Sequence, residues 1–185
     1  VAWVDLLAMA RVAGFCHARR SVAIVVSCVR RKTRRMDGGV TPDELAPRLQ
    51  DFLAGASGNR HVAIEGLRRV PGGASRETWS FDARLGDGPA RALILRRDPG
   101  RTSVGSDRAM EFRVLRAAHA AGVPVPEVLW LGDDPAVLDG RFFVMERIEG
   151  ETLARRLLRE PAYAVARGAM TGQLGTILAC IHAVP

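Results

Sequence analysis

Between two runs of strand-forming residues the chain reads VPGGASRETW, with Gly72, Gly73, Ala74 and Ser75 at its centre. Consecutive backbone amides can hold phosphate oxygens only where side chains leave room, so this run is either a phosphate-cradling loop or an ordinary hairpin turn. Residue types alone leave both open. Further on, LILRR ends in Arg96 and Arg97. Side chains alternate along a strand, so the two guanidiniums face opposite sides of a sheet, unless they are simply a solvated pair at a strand end. Glu111 lies on a stretch of helical periodicity with apolar Met110 and Phe112 beside it, which suits a helix laid on a sheet; a surface glutamate is the plainer alternative. The two common nucleotide fingerprints are absent. No Gly-x-Gly-x-x-Gly opens a helix, Lys32 is the sole lysine, and Gly72–Gly73 is followed by a strand rather than a helix.

Other reactive side chains point nowhere specific. Cys16, Cys28 and Cys180 lack the spacing of a disulfide framework or a zinc site, and a reducing, cytoplasmic setting is the simplest one for them. Cys180 sits in an apolar helical run and is expected to be a small buried hydrophobe. The four histidines precede Ala-Arg, Val-Ala, Ala-Ala and Ala-Val, and His182 is read as structural.

The net charge of +7 is localised. Residues 1–35 carry eight Lys and Arg against Asp5 alone, whereas the 19 basic and 19 acidic residues of the remainder balance. A basicity confined to one arm argues against a nucleic-acid-binding face on the body of the protein. The arm holds two apolar runs, each broken by arginine before the ~20 residues that span a bilayer. Its charges follow the second run, unlike those of a signal peptide. It is expected to be an appended, poorly ordered or non-native extension; a basic membrane-surface segment is the alternative.

The elements that must position the chemistry begin at TPDEL, where Thr41 caps a helix, Pro42 takes its first position and Glu44 completes a capping box. This helix should run to about Leu53 and close at Gly55. HVAIEGLRRV, ETWSFDARL and ARALILRR then read as three antiparallel strands, separated by PGGAS and GDGP. Residues 106–121 form a helix ended by Gly122 and the prolines Pro124 and Pro126. EVLWLG and RFFVMERI are two further strands joined by a polar turn, DDPAVLD. Beyond EGETL the chain is helical from Leu153 to Ala183, with a cap at Thr152 and a break at Pro161. Trp79, Trp130 and Phe142 are expected in the core.

A glycine turn between antiparallel strands, a third strand ending in a cation, and then a helix bearing a glutamate is the layout of the protein-kinase fold. In detail the sequence resembles the aminoglycoside phosphotransferase family, and within it the branch with modules fused to acyl-CoA dehydrogenases. The resemblance covers about Leu45 to Pro185 and rests on GGASRETWSFD, LILRRDPG, EFRVLRAAHAAGVPVPEVLWLGDDP, FFVMERIEGETL and QLGTILACIHAVP. It implies that Gly72, Gly73, Ala74 and Ser75 form the loop over the nucleotide phosphates. Arg96 would be the phosphate-binding cation, with Arg97 as its neighbour, and Glu111 the carboxylate that orients it. Arginine here where the family's pattern permits lysine alters the geometry of that contact. Glu146, Arg147 and Ile148 would offer backbone groups to the base while Met145 packs behind it.

The fold class implied is α+β: a kinase-like N-lobe of five antiparallel strands plus a helix over residues 36–149, followed by a hinge and the first helices of a helical C-lobe over 150–185. The activity implied is transfer of a phosphoryl group from ATP or GTP, with magnesium, to a hydroxyl of a small molecule. The family's His-Gly-Asp…Asn loop and metal-binding acid do not occur in these 185 residues. No catalytic residue or metal ligand is therefore assigned here, and the chain by itself is expected to be inactive in transfer. A non-catalytic nucleotide-binding or interaction module is the alternative. The acceptor, the choice of ATP or GTP and the oligomeric state are left open by the sequence.

Overall fold

The computed structural model describes residues 40–71, 77–98, 108–151 and 153–184. The N-terminal extension, the loop residues Gly72, Gly73, Ala74 and Ser75, and the cap expected at Thr152 lie outside them. The described residues form two compact units, 40–115 with 127–147, and 116–126 with 148–184.

The first unit opens with helix α1, Pro42–Ser57, closed by its capping box: Thr41 Oγ1 accepts from Glu44 N–H, and the Glu44 carboxylate accepts from Thr41 N–H. The expected stop at Gly55 is corrected. The helix continues one turn and ends at Gly58, which adopts φ +70°, the left-handed conformation that suits glycine. Strands β1 (Val62–Val70), β2 (Glu77–Leu85), β3 (Arg91–Arg97), β4 (Val128–Gly132) and β5 (Phe142–Glu146) pair antiparallel in the order β1-β2-β3-β5-β4. Between β3 and β4 lies helix α2, Arg108–Ala120. The segment expected to be a polar turn contains a one-turn helix, α3 (Pro135–Leu138), which starts because the Asp134 carboxylate accepts from Ala136 N–H and Pro135 takes the first position.

The sheet separates two apolar clusters. On one face Trp79, Phe81, Leu93, Leu95, Phe142 and Val144 pack with Leu45, Leu49 and Leu53 of α1 and Leu138 of α3. The i, i+4, i+8 spacing of those α1 leucines places them in one stripe. On the other face Ile94, Phe143 and Met145 pack with Val128 and with Phe112 of α2. Trp79 and Phe142 are fully in the core and Trp130 is partly buried against it.

In the second unit, α4 (Ala154–Arg159), a 3-10 turn (Pro161–Tyr163) and α5 (Ala164–His182) follow one another. Arg167 Nη1 donates to the carbonyls of Leu157 and Glu160, which ties α5 back to the end of α4. No described residue of α5 is buried, and Leu174, Leu178 and Ile181 are exposed. Cys180 is accordingly half-exposed, not the buried hydrophobe expected.

Candidate functional site

Strand alternation assigns Arg96 and Arg97 to opposite faces. Arg96 lies opposite Thr78 and Phe143, beside Ile94, on the face that α2 covers. Its Nη1 is 3.0 Å from Glu111 Oε1, and the two side chains retain 15% and 24% exposure. The guanidinium carbon stands 6.0 Å from the centroid of the Phe143 ring, within range of cation–π attraction. The helix is brought into place by Phe112, whose ring packs edge-on against Phe143 at 6.1 Å. Its neighbour Met110, expected to face the sheet, is exposed, because the inward stripe of α2 runs through Arg108, Phe112 and Leu115.

Arg97 does not share this site. Its side chain is buried among the α1-facing core, where Nε and Nη2 meet Glu77 Oε2 at 3.1 and 3.0 Å and Nη1 donates to the Leu138 carbonyl at 2.7 Å. Glu77 also accepts from Trp79 Nε1 at 3.2 Å. This buried group ties β2, β3 and α3 together, which removes Arg97 from any role toward a ligand on the other face.

Sequence reasoning missed Arg108. Its guanidinium is fully buried, bonds Glu111 Oε2 through Nη1 at 2.5 Å and pairs with Asp98 through Nη2. It too stands over Phe143, 5.9 Å from the centroid. The i, i+3 spacing of Arg108 and Glu111 on one helix was a legible hint. Asp98, just past the end of β3, carried none.

At the far end of the same face, Met145 is buried in the cluster with Ile94 and Phe143. The backbone N–H of Glu146 donates to the Glu127 carbonyl and that of Arg147 to the Ala92 carbonyl, both at 2.9 Å. These two donors are thus committed within the sheet. The Arg147 side chain crosses the face to Ser80 Oγ, the Phe81 carbonyl and Asp82 Oδ1 at 3.1, 3.2 and 2.9 Å. Ile148 begins the second unit.

A five-stranded antiparallel sheet whose third strand presents a cation to the glutamate of the next helix, with helices following, is the α+β architecture of a kinase-like phosphotransferase fold. Residues 66–185 match the model of the Phosphotransferase enzyme family, APH, and the chain belongs to that family. It is similar to "Acyl-CoA dehydrogenase family member 10" of Mus musculus, 36% identical over 104 residues covering 55% of this chain and 9% of that protein. It is also similar to "Probable acyl-CoA dehydrogenase IBR3" of Arabidopsis thaliana, 37% identical over 82 residues covering 42% of this chain and 10% of that protein. The chain thus spans about a tenth of the length of these curated relatives. Among solved structures, a "putative aminoglycoside phosphotransferase" from Ralstonia eutropha JMP134 aligns over 58% of this chain and 29% of its own, at 21% identity and a TM-score of 0.44.

Proposed function

We propose that this chain supplies the nucleotide-binding half of an enzyme that transfers the terminal phosphoryl group of ATP or GTP to a hydroxyl of a small molecule. The observation that carries this reading is the 3.0 Å pair between Arg96 and Glu111. A partly exposed cation held at a fixed angle by a carboxylate is what phosphate chemistry in this fold needs, since catalysis there is mainly positioning and charge stabilisation. Arginine presents a planar fork where lysine would present a point charge, so it can grip two phosphate oxygens at once.

In the reaction the acceptor oxygen forms a bond to the γ-phosphorus as the bond from that phosphorus to the β–γ bridging oxygen breaks. The nucleoside diphosphate leaves, and the hydroxyl proton passes to a base outside the described residues. Magnesium, when bound, neutralises phosphate charge. Asp98 and Glu111 are unsuited to hold it because both carboxylates already engage guanidiniums. Among the described residues no three Asp, Glu, His or Cys side chains cluster as a metal site would require. What this chain contributes in the proposal is Arg96 to the phosphates and Glu111 to hold Arg96, with the buried Met145 packed behind a base.

The test is a fluorescence titration of the chain with Mg-ATP and Mg-GTP. The reading expects saturable binding of at least one, weakened roughly tenfold or more in Arg96→Met, as loss of a charge-assisted phosphate contact entails. Absence of binding to either nucleotide, or equal affinity in Arg96→Met, refutes it.

A further inference from the structure

Burying a guanidinium is expensive, and a buried ion pair is in general poor evidence of stabilisation, because apolar side chains of similar volume often do as well or better. Arg108 is such a guanidinium. It is fully buried, and its Nε finds no hydrogen-bond partner among the described residues. What its two Nη groups do is specific: one takes Glu111 Oε2 at 2.5 Å, the other takes Asp98. With Arg96 on Glu111 Oε1 at 3.0 Å, the result is a bridge from β3 to α2 and back, running Arg96, Glu111, Arg108, Asp98. Both guanidiniums stand about equally over the one Phe143 ring, at 6.0 and 5.9 Å.

We propose that Arg108 is a positioning residue for phosphate recognition, acting through Glu111. A carboxylate beside an arginine tends toward the two-pronged pair in which both oxygens grip one guanidinium. Such a pair would turn the fork of Arg96 toward Glu111 and away from a phosphate. Because Arg108 holds Oε2, Glu111 is anchored from behind and the two-pronged arrangement with Arg96 is opposed. Asp98 keeps Arg108 in place and, as a second carboxylate, balances its charge. The inference rests on the phosphate role proposed for Arg96 and adds a residue to it that has no contact with the nucleotide.

The experiment compares wild type, Arg96→Met, Arg108→Met, Arg108→Lys and Asp98→Asn in the full 185-residue chain, titrated with Mg-ATP and with adenosine, and monitored by circular dichroism and thermal melting. The expected result is a roughly tenfold loss of Mg-ATP affinity in Arg108→Met with adenosine affinity unchanged. Arg108→Lys, which retains a charge on Glu111, recovers part of it, and Asp98→Asn lies between. A purely structural role lowers both affinities together or lowers the melting point alone, and either pattern overturns the proposal, as does wild-type Mg-ATP affinity in Arg108→Met. If Arg108→Met does not fold, the folded Arg108→Lys and Asp98→Asn decide by the same ratio of affinities. Failure of wild type to bind Mg-ATP or Mg-GTP, or indifference to Arg96→Met, brings down the phosphate reading itself and this inference with it.

Discussion

Two adjacent arginines on one strand should fail in opposite ways when replaced. In Arg97→Met the Glu77 carboxylate loses two contacts, at 3.1 and 3.0 Å, and is left buried with Trp79 Nε1 at 3.2 Å and Arg69 Nη2 at 3.5 Å. Removing one partner of a buried pair costs about 3–5 kcal/mol, since the other charge is left uncompensated. That is a large part of the roughly 5–15 kcal/mol that holds a domain folded, and at about 4–8 °C per kcal/mol it lowers the midpoint by on the order of 12–40 °C. The double replacement Glu77→Leu with Arg97→Met removes both charges but leaves two buried groups, the Trp79 N–H and the Leu138 carbonyl, unpaired at about 1–3 kcal/mol each, so it should cost about 2–6 kcal/mol. In Arg96→Met the pair that is lost is partly exposed and Glu111 keeps Arg108, so the cost should be near 1 kcal/mol. The assay is urea unfolding followed by tryptophan fluorescence, with Trp79 reporting from beside Glu77. Equal stability of the two single variants would refute this account of the two faces.

Two further outcomes follow from the packing and the charges. A Cβ at Gly132 would fall 2.1 Å from Phe142 Cζ, and that ring is buried and held edge-on by Phe52 at 4.7 Å. Gly132→Ala should therefore cost about 1–3 kcal/mol in the same unfolding assay, with partial recovery when Phe142→Leu is added. Hydrogen bonding from Arg48 holds the Asp139 carboxyl below its usual range, so its contribution is present above the unfolded value near 3.8 and is lost as pH falls through the lower folded value. The pair is largely solvated and is worth only about 0.2–1 kcal/mol. Asp139→Asn, which tolerates the φ of 53° at this position, should be destabilised by that amount at pH 7 and match wild type once the pH is below the folded value, as chemical denaturation across pH 2–7 would read.

Much of the architecture was legible because it is local. The capping box at Thr41, the alternation in β2, β3 and β5, and the glycine at the end of α2, with Gly122 at φ +81°, are each set by neighbours a few residues away. The extra turn of α1 past Gly55 was not, since glycine weakens a helix without forbidding it and Leu53 is anchored in the core. Helix α3 escaped for a related reason. Its carbonyls are held by Arg48 Nε and Nη2, at 3.0 Å from Val137 O and 3.1 Å from Ala136 O, and that partner lies far away in the chain.

For the site, the division is sharper. The sequence by itself determined that an arginine pair ends β3, that its members face opposite sides, and that Glu111 lies on the next helix, because the strand period of two and the helix period of 3.6 follow from backbone geometry. Strand period left open which arginine meets the glutamate, and only the family resemblance named Arg96; that Arg97 is locked to Glu77 was decided by tertiary structure, through the choice of sheet face that α1 covers. So was the part played by Arg108 and Asp98. They stand ten residues apart in sequence, on either side of the connection between β3 and α2, and only the folded chain brings a buried guanidinium between two carboxylates where its charge can be met.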